Sequence, residues 1–151
     1  MSVSGRLAQL GLTLPAVAKP LAAYVPAVRT GNLVYTSGQL PTVEGALTHT
    51  GKVGAEVAPE DARIAARTCA LNALAAVHAL AGVDAVTRVV KVVGFVASAP
   101  GFNGQPGVVN GASELLGEVF GEAGVHARSA VGVSELPLDA PVEVELIVEV
   151  S

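Results

Sequence analysis

The segment His126–Val150 decides the fold; it reads His-Ala-Arg-Ser-Ala-Val-Gly-Val-Ser-Glu-Leu-Pro-Leu-Asp-Ala-Pro-Val-Glu-Val-Glu-Leu-Ile-Val-Glu-Val. Its last nine residues have an aliphatic side chain at every second position, and glutamates fill most positions between. Because successive strand side chains point to opposite faces, this alternation predicts a strand with one buried face. Residues 128–133 predict a second strand. Pro137 and Pro141 exclude a central strand between the two, because each proline removes a ladder donor.

The two predicted strands carry one cation and one acid in an otherwise apolar region. Arg128 opens the first strand, and Glu143 stands near the start of the second. If the strands are adjacent, as we expect, the guanidinium and the carboxylate lie close together. Burial of two charges is costly, so such a pair indicates a functional site. The alternative is a structural ion pair, either between these two residues or with a neighbouring subunit.

Composition predicts one domain, residues 1–151, with a core of small aliphatic side chains. Hydrophobic residues make up 51% of the chain and aromatic residues 3%. Charged residues make up only 15%, against about 25% in an average soluble protein. So few charges leave apolar surface exposed on a monomer, which favours a homo-oligomer. The net charge of −4 argues against a nucleic-acid-binding surface or an anionic membrane surface.

The chain has one cysteine, Cys69, which excludes an internal disulfide and a cysteine-based zinc site. The apolar run Leu7–Leu14 is interrupted by Gln9 and Gly11, so it predicts neither a signal peptide nor a membrane helix. A cytoplasmic location without membrane contact is the expectation that remains.

The rest of the chain is divided by proline and glycine. Pro59, followed by Glu60 and Asp61, opens a long helix that stops at Gly82. The predicted elements in order are an N-terminal arm (1–23), a hairpin (24–41), a loop with a short strand (42–57), a helix (59–81), a strand (86–97), a loop (98–107), a helix (109 to about 122) and the two strands above. The order β-β-α-β-α-β-β predicts an α+β sandwich of two layers, with both helices on one face of a mixed sheet.

Several of these pieces together resemble the RidA family, also called YjgF-like proteins or reactive intermediate/imine deaminases. The matching pieces are the segment Tyr24–Pro41, Val93-Gly-Phe-Val96, Asn110, Ala127-Arg-Ser-Ala-Val131, Leu136-Pro137 and Val142-Glu-Val-Glu145. The resemblance implies a chorismate mutase-like fold and a homotrimer with clefts between subunits. It also implies hydrolysis of enamine and imine carboxylates, such as 2-aminoacrylate and its imine tautomer, to 2-keto acids and ammonia.

The resemblance also assigns site residues. It implies that Arg128 binds the substrate carboxylate and that Glu143 stands near the attacking water. The other positions implied at or near the cleft are Tyr24, Ser37, Gly38, Asn110 and Ala130. Ala130 occupies a position where many members have cysteine, and His126 replaces a usual proline. The loop at 98–109 is longer than in typical deaminating members, which indicates a divergent branch.

Each assignment has a plainer alternative. Glu143 suits a general acid or base, but it also suits the solvated face of a strand. Asn110 suits the N-terminal cap of the second helix, and Tyr24 and Ser37 suit structural roles in a hairpin. His126, beside Arg128, suits a place at the surface, and His78, on a mostly apolar helix face, suits the interior. The histidines lack ligand spacing, so no metal is predicted, and no organic cofactor is expected.

Three function classes follow. The leading hypothesis is a trimeric hydrolase of small imine or enamine carboxylates. The second is a non-catalytic or regulatory trimer that binds a small carboxylate. The third, ribonuclease activity or translation inhibition, is disfavoured by the acidic balance and the scarcity of aromatic residues for base stacking.

Overall fold

The computed structural model describes residues 1–151, and it contains three α-helices and seven strands. The helices are α1 (Val3–Gln9), α2 (Pro59–Ala81) and α3 (Gln105–Phe120). The strands are β1 (Ala27–Thr30), β2 (Leu33–Thr36), β3 (Thr42–Val43), β4 (Ala46–Leu47), β5 (Val86–Ala97), β6 (Ala127–Val133) and β7 (Val142–Val150). All the long predicted elements are present, and the bounds of α2 and β5 agree with the prediction.

Five strands form one mixed sheet in the order β1-β2-β7-β5-β6, and β3 pairs only with β4. The β5–β6 pair is parallel, and the other pairs of the large sheet are antiparallel. Helices α2 and α3 pack against each other on one face of this sheet, α2 against β7 and α3 against β5 and β6. The predicted α+β class and two-layer arrangement are confirmed.

Strand β7 lies in the middle of the sheet and follows the predicted alternation. Its even-numbered side chains from 142 to 150 are buried under the helices. Its odd-numbered side chains lie on the opposite face, which we call the open face of the sheet. Glu143 and Glu145 are half-buried there, and Glu149 is exposed.

The helix layer is close-packed because its side chains are small. The buried side of α2 consists mainly of alanines, with Cys69 and Leu74 among them. A Cβ added at Gly111 of α3 would lie 1.9 Å from the carbonyl oxygen of Arg63, so only glycine permits this approach of the two helices. Although α2 is long and apolar enough to cross a membrane, more than half of its most apolar stretch is buried inside the fold, as in a core helix.

The N-terminal arm contains a helix that the sequence prediction missed. Ser2 caps α1 by accepting a hydrogen bond from Gly5 N–H, and the Asp84 carboxylate accepts two from the backbone N–H and hydroxyl of Ser4. Arg6 donates to the carbonyl oxygen of Glu118. Helix α1 is short, so its stability comes from these distant partners rather than from a local period.

Helix α3 begins four residues before the predicted start. Pro106 occupies its first turn, where proline costs no helical hydrogen bond. The connection between β5 and α3 is therefore Ser98–Gly104, and part of the predicted loop is helical. Asn110 lies inside α3, so its interpretation as a helix cap is wrong.

One polar residue of α2 is buried, and another differs from the prediction. Asn72 is buried, and its Nδ2 donates to the carbonyl oxygens of Leu40 and Thr42. His78, predicted in the interior, is exposed. Its Nδ1 accepts a hydrogen bond from Val83 N–H just beyond the helix end.

Candidate functional site

The predicted pairing of Arg128 with Glu143 is wrong within one chain. Strand β5 lies between β6 and β7, so the two strands are not neighbours. In the register, Arg128 stands beside Val92, whose side chain is buried under the helices, and Glu143 stands beside Phe95 on the open face. Paired residues point to the same side of a sheet, so the arginine and the glutamate lie on opposite faces.

Arg128 belongs to a first group of site residues, between β6 and α3. Its Nη1 donates to Asn110 Oδ1 at 2.8 Å and to Ser113 Oγ at 3.2 Å, and its Nη2 donates to the carbonyl oxygen of Pro106 at 3.3 Å. Ala130, half-buried, lies two residues further along the same face of β6. Ser113 was missed by sequence reasoning, although its place three residues after Asn110 puts both on one side of α3.

The Arg128 guanidinium has no carboxylate partner. The ion pairs of the chain are Lys52–Glu135, Arg63–Glu114 and Arg67–Glu118. The groups that hold Arg128 are all neutral acceptors, so they orient the guanidinium without neutralising its charge. A half-buried, oriented and unneutralised guanidinium is suited to bind a carboxylate from outside the chain.

Glu143 belongs to a second group, with Gly38. A Cβ added at Gly38 would lie 2.7 Å from Glu143 Cδ, so the carboxyl group packs directly on the glycine. Burial, and secondarily the charge of Glu145, raise the pKa of Glu143. The solvated-face alternative therefore does not describe Glu143. A carboxyl group with a raised pKa is better suited to exchange protons near neutral pH than an ordinary one.

Tyr24 and Ser37 lie in the same part of the chain as Gly38, and both make structural hydrogen bonds. Ser37 Oγ donates to the carbonyl oxygen of Val25 at 2.6 Å. The Tyr24 hydroxyl accepts from Leu21 N–H at 3.1 Å, so its own proton is still available to donate. His126 is half-buried next to the Arg128 strand, with Nδ1 3.0 Å from the carbonyl oxygen of Ala127.

A cleft of about 920 Å³ adjoins the second group. Tyr24 and Gly38 line it, together with residues of the N-terminal arm, the segment that carries β3, and α2. Gln39 and Asn72 also line it, and sequence reasoning assigned neither to the site. The position of Gln39 directly after Gly38 was a usable signal, whereas nothing local marked Asn72.

The comparisons with known proteins cover nearly the whole chain. The family described as "YjgF/chorismate mutase-like, putative endoribonuclease" matches residues 4–150. A Trypanosoma cruzi protein named TCP17 is 45% identical over 151 residues, which are 99% of this chain and 94% of TCP17. A Dermatophagoides farinae protein named 2-iminobutanoate/2-iminopropanoate deaminase is 34% identical over 137 residues, which are 91% of this chain and 93% of that protein.

A solved structure agrees with the fold along its whole length. The crystal structure of Atu1372 from Agrobacterium tumefaciens, a protein of unknown function, is 48% identical and superposes with a TM-score of 0.91. The match covers 99% of this chain and 92% of that one. With the family match over residues 4–150, this places the chain in the YjgF/chorismate mutase-like family, the RidA family whose motifs the sequence carries.

Proposed function

We propose that this protein hydrolyses small enamine or imine carboxylates to 2-keto acids and ammonia. The observation that carries the proposal is the Arg128 guanidinium, which is oriented by Asn110, Ser113 and the Pro106 carbonyl and is left without an acid partner. The 34% identity to a protein named 2-iminobutanoate/2-iminopropanoate deaminase supports the same substrate class.

The two groups of site residues support an active site shared between subunits. Arg128, Asn110 and Ala130 belong to one face of the sheet, and Glu143 with Gly38 belongs to the other. Strand β6 is an edge strand, so a neighbouring subunit has access to it. In a homotrimer with clefts between subunits, the Arg128 group of one chain would meet the Glu143 group of the next.

Hydrolysis of an imine needs little beyond correct positioning of the substrate and one group that carries protons. An enamine first takes a proton on carbon and loses one from nitrogen, which gives the imine. Water then attacks the imine carbon, so a carbon–oxygen bond forms and the nitrogen takes a proton. The hydroxyl proton then passes to nitrogen as a second proton, the carbon–nitrogen bond breaks, the keto group forms and ammonia leaves. Arg128 would hold the carboxylate, and Glu143 would accept the proton of water and return it to nitrogen.

The direct test is ammonia release from 2-aminoacrylate generated in situ. We expect Arg128→Ala to reduce kcat/KM by roughly 100-fold or more, since hydrogen bonds to charged groups contribute about 1.5–3 kcal/mol each. Arg128→Lys should remain well below wild type because lysine lacks the guanidinium fork. Arg29→Ala is the matched control, because Arg29 is exposed and donates to backbone carbonyls. Full activity of Arg128→Ala would refute the proposal.

A second candidate, carboxylate binding without turnover, is favoured by two observations. Ala130 offers no reactive group, and the Ser37 hydroxyl proton is already donated to Val25. Thermal-shift measurements with 2-keto acids separate the two candidates. Stabilisation that requires Arg128, in a protein that does not accelerate ammonia release, would select the binding function.

A further inference from the structure

The cleft beside Gly38 is larger than a three-carbon substrate needs. Its volume of about 920 Å³ lies at the upper end of the roughly 300–1,000 Å³ found for pockets that hold drug-sized ligands. An imino acid with only a methyl side chain would leave most of it to solvent. The residues that line it include Thr13 and residues 15–21 of the arm and Thr68, Leu71 and Asn72 of α2.

Two largely buried amide side chains give this cleft unused hydrogen-bonding capacity. Gln39 is 6% exposed and Asn72 is 4% exposed, and both line the cleft. Asn72 Nδ2 donates to two backbone carbonyl oxygens and to Thr42 Oγ1, which fixes the orientation of the amide. Gln39 Nε2 donates to the carbonyl oxygen of Ser37. Neither Asn72 Oδ1 nor Gln39 Oε1 accepts a hydrogen bond from the protein.

These two acceptors are accessible rather than sealed in the core. No fully buried side-chain polar atom of the chain lacks a hydrogen-bond partner, so both oxygens retain some accessible surface. Polar atoms of buried side chains are nearly always satisfied, so two free acceptors in a cleft wall can take a donor that enters the cleft.

The rest of the cleft wall restricts the kind of group that fits. It is a mixture of apolar side chains and neutral hydroxyl groups, with Lys19 and Glu44 its charged residues. This lining suits a neutral chain that is mainly apolar and carries a hydrogen-bond donor. It does not suit a phosphate or a second carboxylate.

We propose that the cleft receives the side chain of the substrate, and that the preferred substrates are imines of larger 2-amino acids whose neutral side chains carry a hydrogen-bond donor. This inference rests on the proposed function. Tyr24 and Gly38 connect the cleft with the second group of site residues, since both line the cleft and Gly38 also contacts Glu143. The carboxylate end would bind at Arg128 of a neighbouring subunit, and the side chain would extend toward Gln39 and Asn72.

The test compares imines of different size. An L-amino-acid oxidase, with dioxygen as oxidant, generates the imines of alanine, leucine and glutamine in place, and keto acid formation is followed with and without this protein. We expect kcat/KM for the glutamine imine to exceed that for the alanine imine by about tenfold or more, with the leucine imine between them. Equal values for all three would overturn the inference.

A variant that fills the cleft provides the second arm. Thr68→Trp places a bulky ring at the α2 wall, and we expect it to reduce the glutamine-to-alanine ratio of kcat/KM at least fivefold. Ile64→Trp is the matched control, because Ile64 lies one turn earlier on α2, is 61% exposed and does not line the cleft. An unchanged ratio in Thr68→Trp would contradict the proposal.

Failure of the proposed function is distinguishable from failure of this inference. If no imine is turned over, thermal shifts with the corresponding keto acids still report binding. A larger shift with the glutamine-derived keto acid than with pyruvate, lost in Thr68→Trp, would support the cleft assignment without catalysis. Equal shifts with the two keto acids would refute the inference. This comparison uses only the wild-type protein, so it can be made even if the variant does not fold.

Discussion

Glu143 shows how the position of one side chain raises its pKa. It lies on the open face of the central strand β7, against the Cα of Gly38. Glu145 lies two residues further along the same face. Burial and the neighbouring charge both disfavour its ionised form, so the pKa of Glu143 is raised. Its folded-state pKa therefore exceeds that of the unfolded chain, which is about 4.3 for glutamate.

This raised pKa predicts how Glu143→Gln changes stability with pH. The native state binds the proton more tightly than the unfolded state, so the contribution of Glu143 to stability is greatest below the unfolded pKa. That contribution is lost as pH rises through the folded pKa. We expect the Tm of Glu143→Gln minus that of wild type to increase from about pH 4 to pH 7.5. Glu149→Gln, at an exposed carboxylate of the same strand, is the control, and a difference that decreases with pH would contradict the assignment.

The packing of α2 against α3 depends on one glycine. A Cβ added at Gly111 would meet a backbone oxygen, which cannot rotate away as a side chain can. We expect Gly111→Ala to separate the helices and to lower the free energy of unfolding by about 1–3 kcal/mol, or more if the backbone cannot shift. Urea or thermal unfolding measures this change.

Gly117 is the matched control on the same helix. A Cβ there meets nothing within 4 Å, and the residue is exposed. Gly117→Ala should therefore raise the free energy of unfolding by about 0.5–1 kcal/mol, because alanine is the better helix former. Equal effects of the two substitutions would show that the close approach is not what Gly111 provides.

Helices and strands with a strong local sequence pattern could be predicted, but which elements pack beside one another could not. The alternation of residues 142–150 and the β-branched run at 86–97 determine both strands locally, and Pro59 with Gly82 marks the ends of α2. The adjacency of β6 and β7 was wrong because strand order depends on long-range pairing, here the insertion of β5 between them. Helix α1 was missed because Asp84 and Glu118, far away in sequence, hold it.

For the whole molecule, the apolar residues on the open face of the sheet predict that chains associate, and the resemblance to the RidA family implies a trimer. Val28, Tyr35 and Val131 are exposed on β1, β2 and β6, as is expected of surface that is covered in an assembly. We expect light scattering after size exclusion to give three times the 15.0 kDa chain mass. Val131, 46% exposed on the edge strand, is the position to test.

Val131→Glu should shift the mass toward that of one chain, because it buries a charge in the interface. Activity should fall with it if the site is shared between subunits. Ile64→Glu, at an exposed position on the outer side of α2, should leave the mass unchanged. A monomeric wild type with full activity would contradict both expectations.

Some residues of the candidate site could be proposed from the sequence, but their arrangement could not. The motif around Arg128 and that around Glu143 are local, so the sequence marked both. Their placement on opposite faces follows from the sheet order, and the acceptors of Gln39 and Asn72 follow from how the arm and α2 enclose the cleft. Only the folded chain brings such distant segments together.

The single thiol of the chain has a practical consequence. Cys69 is fully buried in the middle of α2, and burial raises the pKa of its thiol further. Its sulfur therefore meets an alkylating reagent only when the helix layer comes apart. The rate of labelling at this one atom thus reports how often the native protein opens, without any engineered probe or denaturant.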